Sequence, residues 1–388
     1  MTAVVNMDFN GIKNILVIKL RHIGDVLLTS PVYKALRVAF PDAGISALVN
    51  SGSEETLAGN PNIDEVMVFN RKVKDLPVFK KYMGELKNLK DIRSRGFDMA
   101  IDLTGGDRGA IISYISGARV RLAKDSGKAS RWGKNYLYTN LAVLDGTTHV
   151  AMQNLELLQR FSIIRQAGCA IEMHIPDEVT DSVKRLLRGR GIMETDAYVH
   201  VHPTSRWFFK CWQDEYMAEA IGWLLRQGLK VVLTAAPDKK EILKAKEILS
   251  LVKGNGKDGL VTLMGETSIK ALGAISKEAA MFFGVDSAPM HIAAAMDTPV
   301  VALFGPSGAF NWGPWDNEQT ITQPYAQRNG VQISGRHTVI QRAWDCVPCG
   351  HDGCNGTKKS ECLNDISVKE VVDVIDKRLS DVVPGQGL

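Results

Sequence analysis

Arg21-His22-Ile23-Gly24-Asp25-Val26-Leu27-Leu28-Thr29-Ser30-Pro31 follows directly on the apolar run Ile15 to Ile18. A strand-length apolar run, a glycine that permits a tight turn, and a carboxylate opening a helical stretch mark the handover from a buried strand to a helix. A second handover of the same kind stands in the other half. There Gly284-Val285-Asp286-Ser287-Ala288-Pro289-Met290-His291 follows Ala280 to Phe283. In an open α/β sheet, ligands bind just outside the carboxyl ends of the strands, where helices begin. Two such steps predict an α/β chain of two Rossmann-like domains facing each other across a cleft. One would hold a base and the other an anionic donor.

Outward from these steps, strand and helix patterns alternate. In the first half, strands are expected at Ile15–Lys19, Ile45–Val49, Val66–Phe69 and Met99–Leu103. One helix is expected over Val26–Phe40, and others over Leu76–Arg95, Gly106–Ile115 and His149–Ile164. The polar segment Ile175–Thr195 reads as an interdomain linker with a short helix inside it. A second series then runs from Tyr198–Val201 to Val300–Phe304, and a final helix covers Val368–Leu379. Such alternation builds a mostly parallel sheet covered on both faces. We place the domains at 1–180 and 181–388, the second including a Cys-rich loop at 346–362 and the final helix.

The length of 388 residues suits two domains. A hydrophobic content of 45% and a charged content of 23% are those of a globular chain. The net charge of +4 fits an acidic substrate or an anionic membrane surface. It is too weak to argue for nucleic acid, and no nucleic-acid-binding motif is present. The N-terminus has no basic, apolar signal pattern, and no apolar run approaches the ~20 residues of a membrane span. A cytoplasmic protein is expected, touching a membrane at most through basic surface.

Five groups of residues carry chemistry. Asp25 is either a helix cap or a base, and its neighbours Arg21 and His22 favour an ionised base. The stretch His202-Pro203-Thr204-Ser205-Arg206-Trp207-Phe208-Phe209-Lys210-Cys211-Trp212 brings hydroxyls, amides and a lysine into one strand-to-helix loop, as a pyrophosphate requires. At Asp286-Ser287-Ala288 a helix opens with His291 one turn on, and an anion placed there gains from the helix terminus. Cys346, Cys349, Cys354 and Cys362 could hold a structural metal, form disulfides or remain thiols. The basic run Arg119 to Lys134 is either a solvated loop or a surface for a phosphorylated acceptor. No Gly-x-Gly-x-x-Gly, Walker A or Asp-x-Asp sequence occurs at the positions where a dinucleotide, P-loop or divalent-metal site needs one.

Together these residues resemble glycosyltransferase family 9, the ADP-heptose:lipopolysaccharide heptosyltransferases. Lys19 to Leu28 is similar to the family's N-terminal acceptor loop. Gly284 to Ala295, followed by Phe304-Gly305-Pro306, is similar to its donor motif. His202 to Trp212 and Phe310-Asn311-Trp312-Gly313-Pro314-Trp315 resemble the heptosyltransferase III branch, and the likeness runs to about Trp315. The Cys-rich loop departs from that branch and leaves the acceptor open. The resemblance implies a GT-B fold and an inverting transfer that requires no metal or other cofactor. It implies ADP-L-glycero-D-manno-heptose as donor and the lipopolysaccharide inner core as acceptor, met at the cytoplasmic face of the inner membrane. It makes Asp25 the general base. Thr204, Ser205 and Lys210 then bind the diphosphate, Asp286, Ser287, Ala288 and His291 shape the donor site, and Glu266 takes the ribose. Arg21, Arg119 and Arg121 are the candidate acceptor-binding cations. The rivals are the same fold with another core acceptor or sugar nucleotide, an NAD-linked oxidoreductase, and a non-catalytic sugar-nucleotide binding protein.

Overall fold

The computed structural model describes residues 9–70, 78–127, 133–164, 168–253, 259–318 and 323–382. The chain divides into two compact units, Met1–His174 and Ile175–Leu388. The first contains strands β1 (Asn14–Lys19), β2 (Gly44–Asn50), β3 (Glu65–Phe69), β4 (Met99–Asp102), β5 (Val120–Lys124) and β6 (Asn140–Ala142). Its helices are α1 (Ile23–Leu27), α2 (Ser30–Ala39), α3 (Val78–Ser94), α4 (Asp107–Ile115) and α5 (Val150–Arg160). The strands pair in parallel in the order β3-β2-β1-β4-β5-β6. Successive side chains of a strand point to opposite faces. Ile15 and Val17 of β1 therefore pack with Val32, Tyr33 and Leu36 of α2, while Leu16 and Ile18 join Ile92 and Ile112 on the other side.

The second unit contains β7 (Tyr198–His202), β8 (Lys230–Ala235), β9 (Leu260–Met264), β10 (Met281–Val285), β11 (Val300–Phe304), β12 (Gln332–Ser334) and β13 (His337–Gln341). Its helices are α6 (Asp177–Gly189), α7 (Asp214–Arg226), α8 (Lys239–Leu251), α9 (Ile269–Lys277), α10 (Ala288–Ala295), α11 (Ala309–Trp312), α12 (Glu361–Asn364) and α13 (Val368–Val382). The sheet order is β12-β13-β11-β10-β7-β8-β9, parallel except for the β12–β13 pair. The central strands β7, β10 and β11 are buried along their whole length; β10 and β11 read as apolar runs, while β7 alternates His200 and His202 with its valines. In both units the strand order reverses beside the first strand, between β1 and β4 and between β7 and β10. Ligand sites form at such reversals.

Several expectations change. The helix expected over Val26–Phe40 is two, because Pro31 has no N–H to give to Leu27 and instead sits in the first turn of α2. The segment read as a linker holds the 13-residue α6, whose Val183 and Leu187 pack with Ile192, Tyr198 and Ala274 in the second unit. The compact units meet at 174/175 rather than 180/181. Strands β5, β6, β12 and β13 had no counterpart in the sequence reading.

Candidate active site

In the first unit, the loop after β1 is pinned to the end of β4 across the strand reversal. Lys19 Nζ donates to the Leu103 carbonyl at 3.0 Å, and Leu20 N donates to Thr104 Oγ1 at 2.9 Å. The Arg21 guanidinium donates to the Thr104 carbonyl at 3.3 and 3.0 Å. From the other side, Asn50 at the end of β2 donates to the Arg21 carbonyl at 3.1 Å. This leaves α1 to start at Ile23 with His22 in the cap position and Asp25 in the first turn. Asp25 is therefore not the helix cap that one reading allowed. Its carboxylate is half-buried and has no side-chain hydrogen bond or ion pair among the described residues. Nearby, Asp102 is buried. Its Oδ2 accepts from Tyr138 at 2.5 Å and its Oδ1 from Thr104 N at 2.7 Å. Burial pushes this carboxyl above the usual carboxylate range, against those hydrogen bonds.

The candidate acceptor arginines do not gather at this end. Arg119 immediately precedes β5, whose Val120 pairs with Met99 and, through β4, lies level with Ile15 at the start of β1. With about 3.3 Å per strand residue, that places it well over 10 Å upstream of the Asp25 loop. Its guanidinium donates to the Asn10 carbonyl. Arg121 donates to the Leu137 and Ala118 carbonyls, both at 2.7 Å, and lies over the Tyr114 ring. Both are occupied in holding the unit together. Of the rest of the basic run, Lys134 donates to the Gly105 carbonyl at 2.8 Å, beside the Asp25 end, while Lys128 and Arg131 lie outside the described residues.

The second unit repeats the arrangement at its own reversal. The loop after β7 carries Lys210, and the loop after β10 carries Asp286. Lys210 Nζ lies 2.6 Å from Asp286 Oδ2. Asp286 is buried, so the pair sets a fixed cation at the carboxyl end of the sheet. One residue on, Ser287 occupies the cap position of α10 without capping it. Its hydroxyl is buried with no hydrogen-bond partner. An unpaired hydroxyl beside the free amides of a helix start is a ready anion site, since burying it unpaired costs about 1–3 kcal/mol. Ala288 opens α10, and His291 is buried one turn further on. Gly284 is required by its surroundings, because a Cβ there would lie 2.6 Å from the His202 carbonyl.

Other expected donor residues are engaged differently. Thr204 is buried and donates to Glu241 Oε2 at 2.9 Å. The carboxyl of Glu241 is raised above its ordinary range by burial. Ser205 Oγ accepts weakly from Trp207 N at 3.4 Å. Glu266 forms an exposed ion pair with Arg190 at 2.9 Å. Beneath the loop, Thr234 Oγ1 lies 2.8 Å from both His200 Nε2 and His202 Nδ1. Burial lowers both imidazoles to about 3, so neither adds positive charge and Lys210 supplies it.

The Cys-rich loop and the residues just after it brace the loop after β7 from behind. Gly350 N donates to the Pro306 carbonyl at 2.9 Å, and Ser360 Oγ to the Phe209 carbonyl at 2.5 Å. Trp212 Nε1 and Gln213 Nε2 donate to the Ile366 and Asn364 carbonyls, both at 3.0 Å. Cys346, Cys349, Cys354 and Cys362 are free thiols. Burial first, and then the other three thiols, push Cys362 up to about 11. Among the described residues no group of three or more His, Cys, Asp or Glu side chains is placed to hold a metal ion, so the structure does not support a metal in this loop. Among those residues, too, no helix is long and apolar enough to cross a membrane.

The sequence model of the glycosyltransferase family 9 (heptosyltransferase) group matches residues 86–333, more than half of the chain. The chain belongs to glycosyltransferase family 9. Lipopolysaccharide heptosyltransferase 3 of Escherichia coli (strain K12) is 33% identical to it over 322 residues, 82% of this chain and 90% of the relative. The crystal structure of a family 9 glycosyl transferase from Veillonella parvula DSM 2008 superposes with a TM-score of 0.76 at 20% identity, covering 97% of this chain and 99% of that one. The E. coli ADP-heptose lps heptosyltransferase II superposes with a TM-score of 0.72 at 19% identity, covering 95% and 99%. The family 9 fold is GT-B, and this chain has it. As a family 9 member it is a transferase, which removes the oxidoreductase and the non-catalytic binding protein from the rival readings.

The sequence had named Asp25, Lys210, Asp286 and Ser287, which the structure places at the two strand reversals. It had given no role to Lys19, Asp102, Thr104, Tyr138 or Glu241. A lysine ending an otherwise apolar buried strand was the one visible signal among them.

Proposed function

We propose that this family 9 enzyme moves heptose, with inversion, from ADP-L-glycero-D-manno-heptose to the inner core of lipopolysaccharide. The observation that carries this reading is the 33% identity over 82% of the chain to a lipopolysaccharide heptosyltransferase 3. The geometry agrees with it. Asp25 takes the proton of the acceptor hydroxyl, whose oxygen attacks the anomeric carbon as the bond to the diphosphate breaks. The departing ADP carries its charge to Lys210, to Ser287 Oγ and to the amides that open α10. Asp286 holds Lys210 in place, and Ala288 and His291 border the heptose and phosphate. Thr204 and Ser205 line the diphosphate loop, and Glu266 reaches the ribose only if it leaves Arg190. Arg21 stays in the acceptor set as the cation nearest Asp25 in sequence. Arg119 and Arg121 leave that set. The acceptor is met at the cytoplasmic face of the inner membrane, through peripheral contact.

The test is nucleotide release from ADP-heptose, GDP-sugars and UDP-sugars in turn, with and without lipopolysaccharide lacking the added heptose. ADP release that requires both ADP-heptose and the truncated acceptor supports the reading. Release from a GDP- or UDP-sugar, or transfer to no core acceptor, overturns it.

A further inference from the structure

The two imidazoles beneath the loop after β7 belong to a buried chain of hydrogen bonds. Ser276 Oγ lies 2.9 Å from His200 Nδ1, His200 Nε2 lies 2.8 Å from Thr234 Oγ1, and Thr234 Oγ1 lies 2.8 Å from His202 Nδ1. Ser276, His200 and Thr234 are sealed from solvent. Each hydroxyl has one proton to give, and a neutral imidazole has one N–H and one bare nitrogen. Burial keeps both rings neutral. Ser276 Oγ has no other partner among the described residues. If His200 Nδ1 donated to it, the serine proton would be buried without an acceptor, at a cost of about 1–3 kcal/mol. Ser276 therefore donates to His200 Nδ1. His200 then carries its proton on Nε2 and donates to Thr234, whose own proton goes to His202 Nδ1. His202 is left with its proton on Nε2.

That nitrogen is the open end of the chain. It has no partner among the described residues and is not closed off from solvent. His202 ends β7, paired in register with Gly284 of β10. Val199 and Val201 pack with Met217 and Ile221 of α7, so His200 and His202 lie on the opposite face of the sheet. On that face Phe282, the register partner of His200, meets Met290 and Ala293 of α10. Helix α10 begins just past the carboxyl end of β10, with the buried, unpartnered Ser287 hydroxyl in its cap position. His202 thus stands at the same end and on the same face of the sheet as the start of α10.

We propose that His202 is a further donor-binding residue, whose Nε2–H donates to a diphosphate oxygen of the sugar nucleotide. Thr234, His200 and Ser276 are positioning residues that hold its imidazole in the tautomer able to donate. The assignment rests on the reading of this end of the sheet as the nucleotide-diphosphate site. Lys210 supplies the charge there, and His202 supplies a directed hydrogen bond. The opposite tautomer would turn a lone pair toward an anion and repel it.

Imidazole nitrogen NMR on the full chain reads the tautomers, and calorimetry reads ADP affinity. Both histidines should carry the proton on Nε2, and the His202 Nε2–H signal should move when ADP is added. His202→Phe should weaken ADP binding about 10- to 100-fold, as loss of a hydrogen bond to a charged group does. His202→Gln, whose amide N–H reaches about as far, should recover part of that affinity. Thr234→Val should let the His202 proton move to Nδ1. A wild-type His202 protonated on Nδ1, a signal that ADP leaves in place, or undiminished ADP affinity in His202→Phe overturns the assignment. So does a Gln variant no better than Phe. Should the variants fail to fold, the wild-type signals decide the same point. A wild-type chain that binds no ADP overturns the nucleotide reading itself, and the assignment with it.

Discussion

Replacing Lys19 by methionine should make the protein more stable at neutral pH. Burial at the end of β1, opposed in part by Asp25 and Asp102 and aided by Arg21, lowers this lysine from 10.5 to about 8. At about 1.36 kcal/mol per pH unit, the folded chain bears a cost of about 3 kcal/mol for keeping the ammonium at neutral pH. Methionine has a similar unbranched length and no charge to desolvate. It forfeits the hydrogen bond from a charged donor to the Leu103 carbonyl, a loss of about 1.5–3 kcal/mol. The balance is a gain of up to about 1.5 kcal/mol, or up to about 6 °C in Tm for a unit of this size. The pH dependence gives the sharper signature. The folded lysine binds its proton more weakly than the unfolded one, so wild-type stability rises with pH between the two values, about 8 and 10.5. The Met variant lacks that rise. Denaturant unfolding of both proteins at about pH 7 and about pH 10 should therefore show the variant's advantage at neutral pH shrinking as pH climbs. A variant less stable than wild type at neutral pH, or an advantage that does not change with pH, would refute the reasoning.

Asp25→Asn should lower kcat by about 10²–10⁴ with ADP affinity little changed, and single-turnover assays beside calorimetry would show whether the loss lies in the chemical step. Lys210→Ala should weaken ADP binding and slow transfer together by about 2–3 kcal/mol, while unaltered affinity on titration would remove Lys210 from the diphosphate site. Acceptor KM should rise with ionic strength, and Arg119→Ala with Arg121→Ala should leave that slope intact because both guanidinia are bound to carbonyls; a flattened slope would return them to the acceptor surface. Chelation by EDTA should leave turnover unchanged, and loss of activity restored by Mg²⁺ would contradict transfer without a metal.

Much of this architecture was legible because it rests on local signals. The runs Ile15–Ile18 and Ala280–Phe283 are buried strands, and each glycine–aspartate step follows one of them. The misses have physical causes. In β5, Val120, Leu122 and Ala123 are buried while Arg121 and Lys124 are not, so a five-residue strand looks like a basic loop. Residues 175–195 look polar because α6 buries a narrow stripe with Val183 and Leu187 and exposes the rest. The same blindness to topology made Arg119 a candidate acceptor cation alongside Arg21, although parallel pairing sets it at the other end of the sheet. The bond from Thr204 to Glu241 spans 37 residues and has no local sign. Lys19 was visible all along as a charge closing an apolar strand, but its burial and its single carbonyl partner belong to the tertiary structure.

The loop after β7 has a consequence for how the molecule is made. Phe209, Trp212 and Gln213 reach their final hydrogen bonds with Ser360, Ile366 and Asn364, partners 151, 154 and 151 residues later in the chain. During synthesis the first unit is complete long before those residues emerge, and at about 5–20 residues per second the delay amounts to roughly 10–30 s. Until then the loop that carries Lys210 lacks its backing. The first unit therefore takes shape on the ribosome first, and the second is finished only once residues 360–366 have emerged.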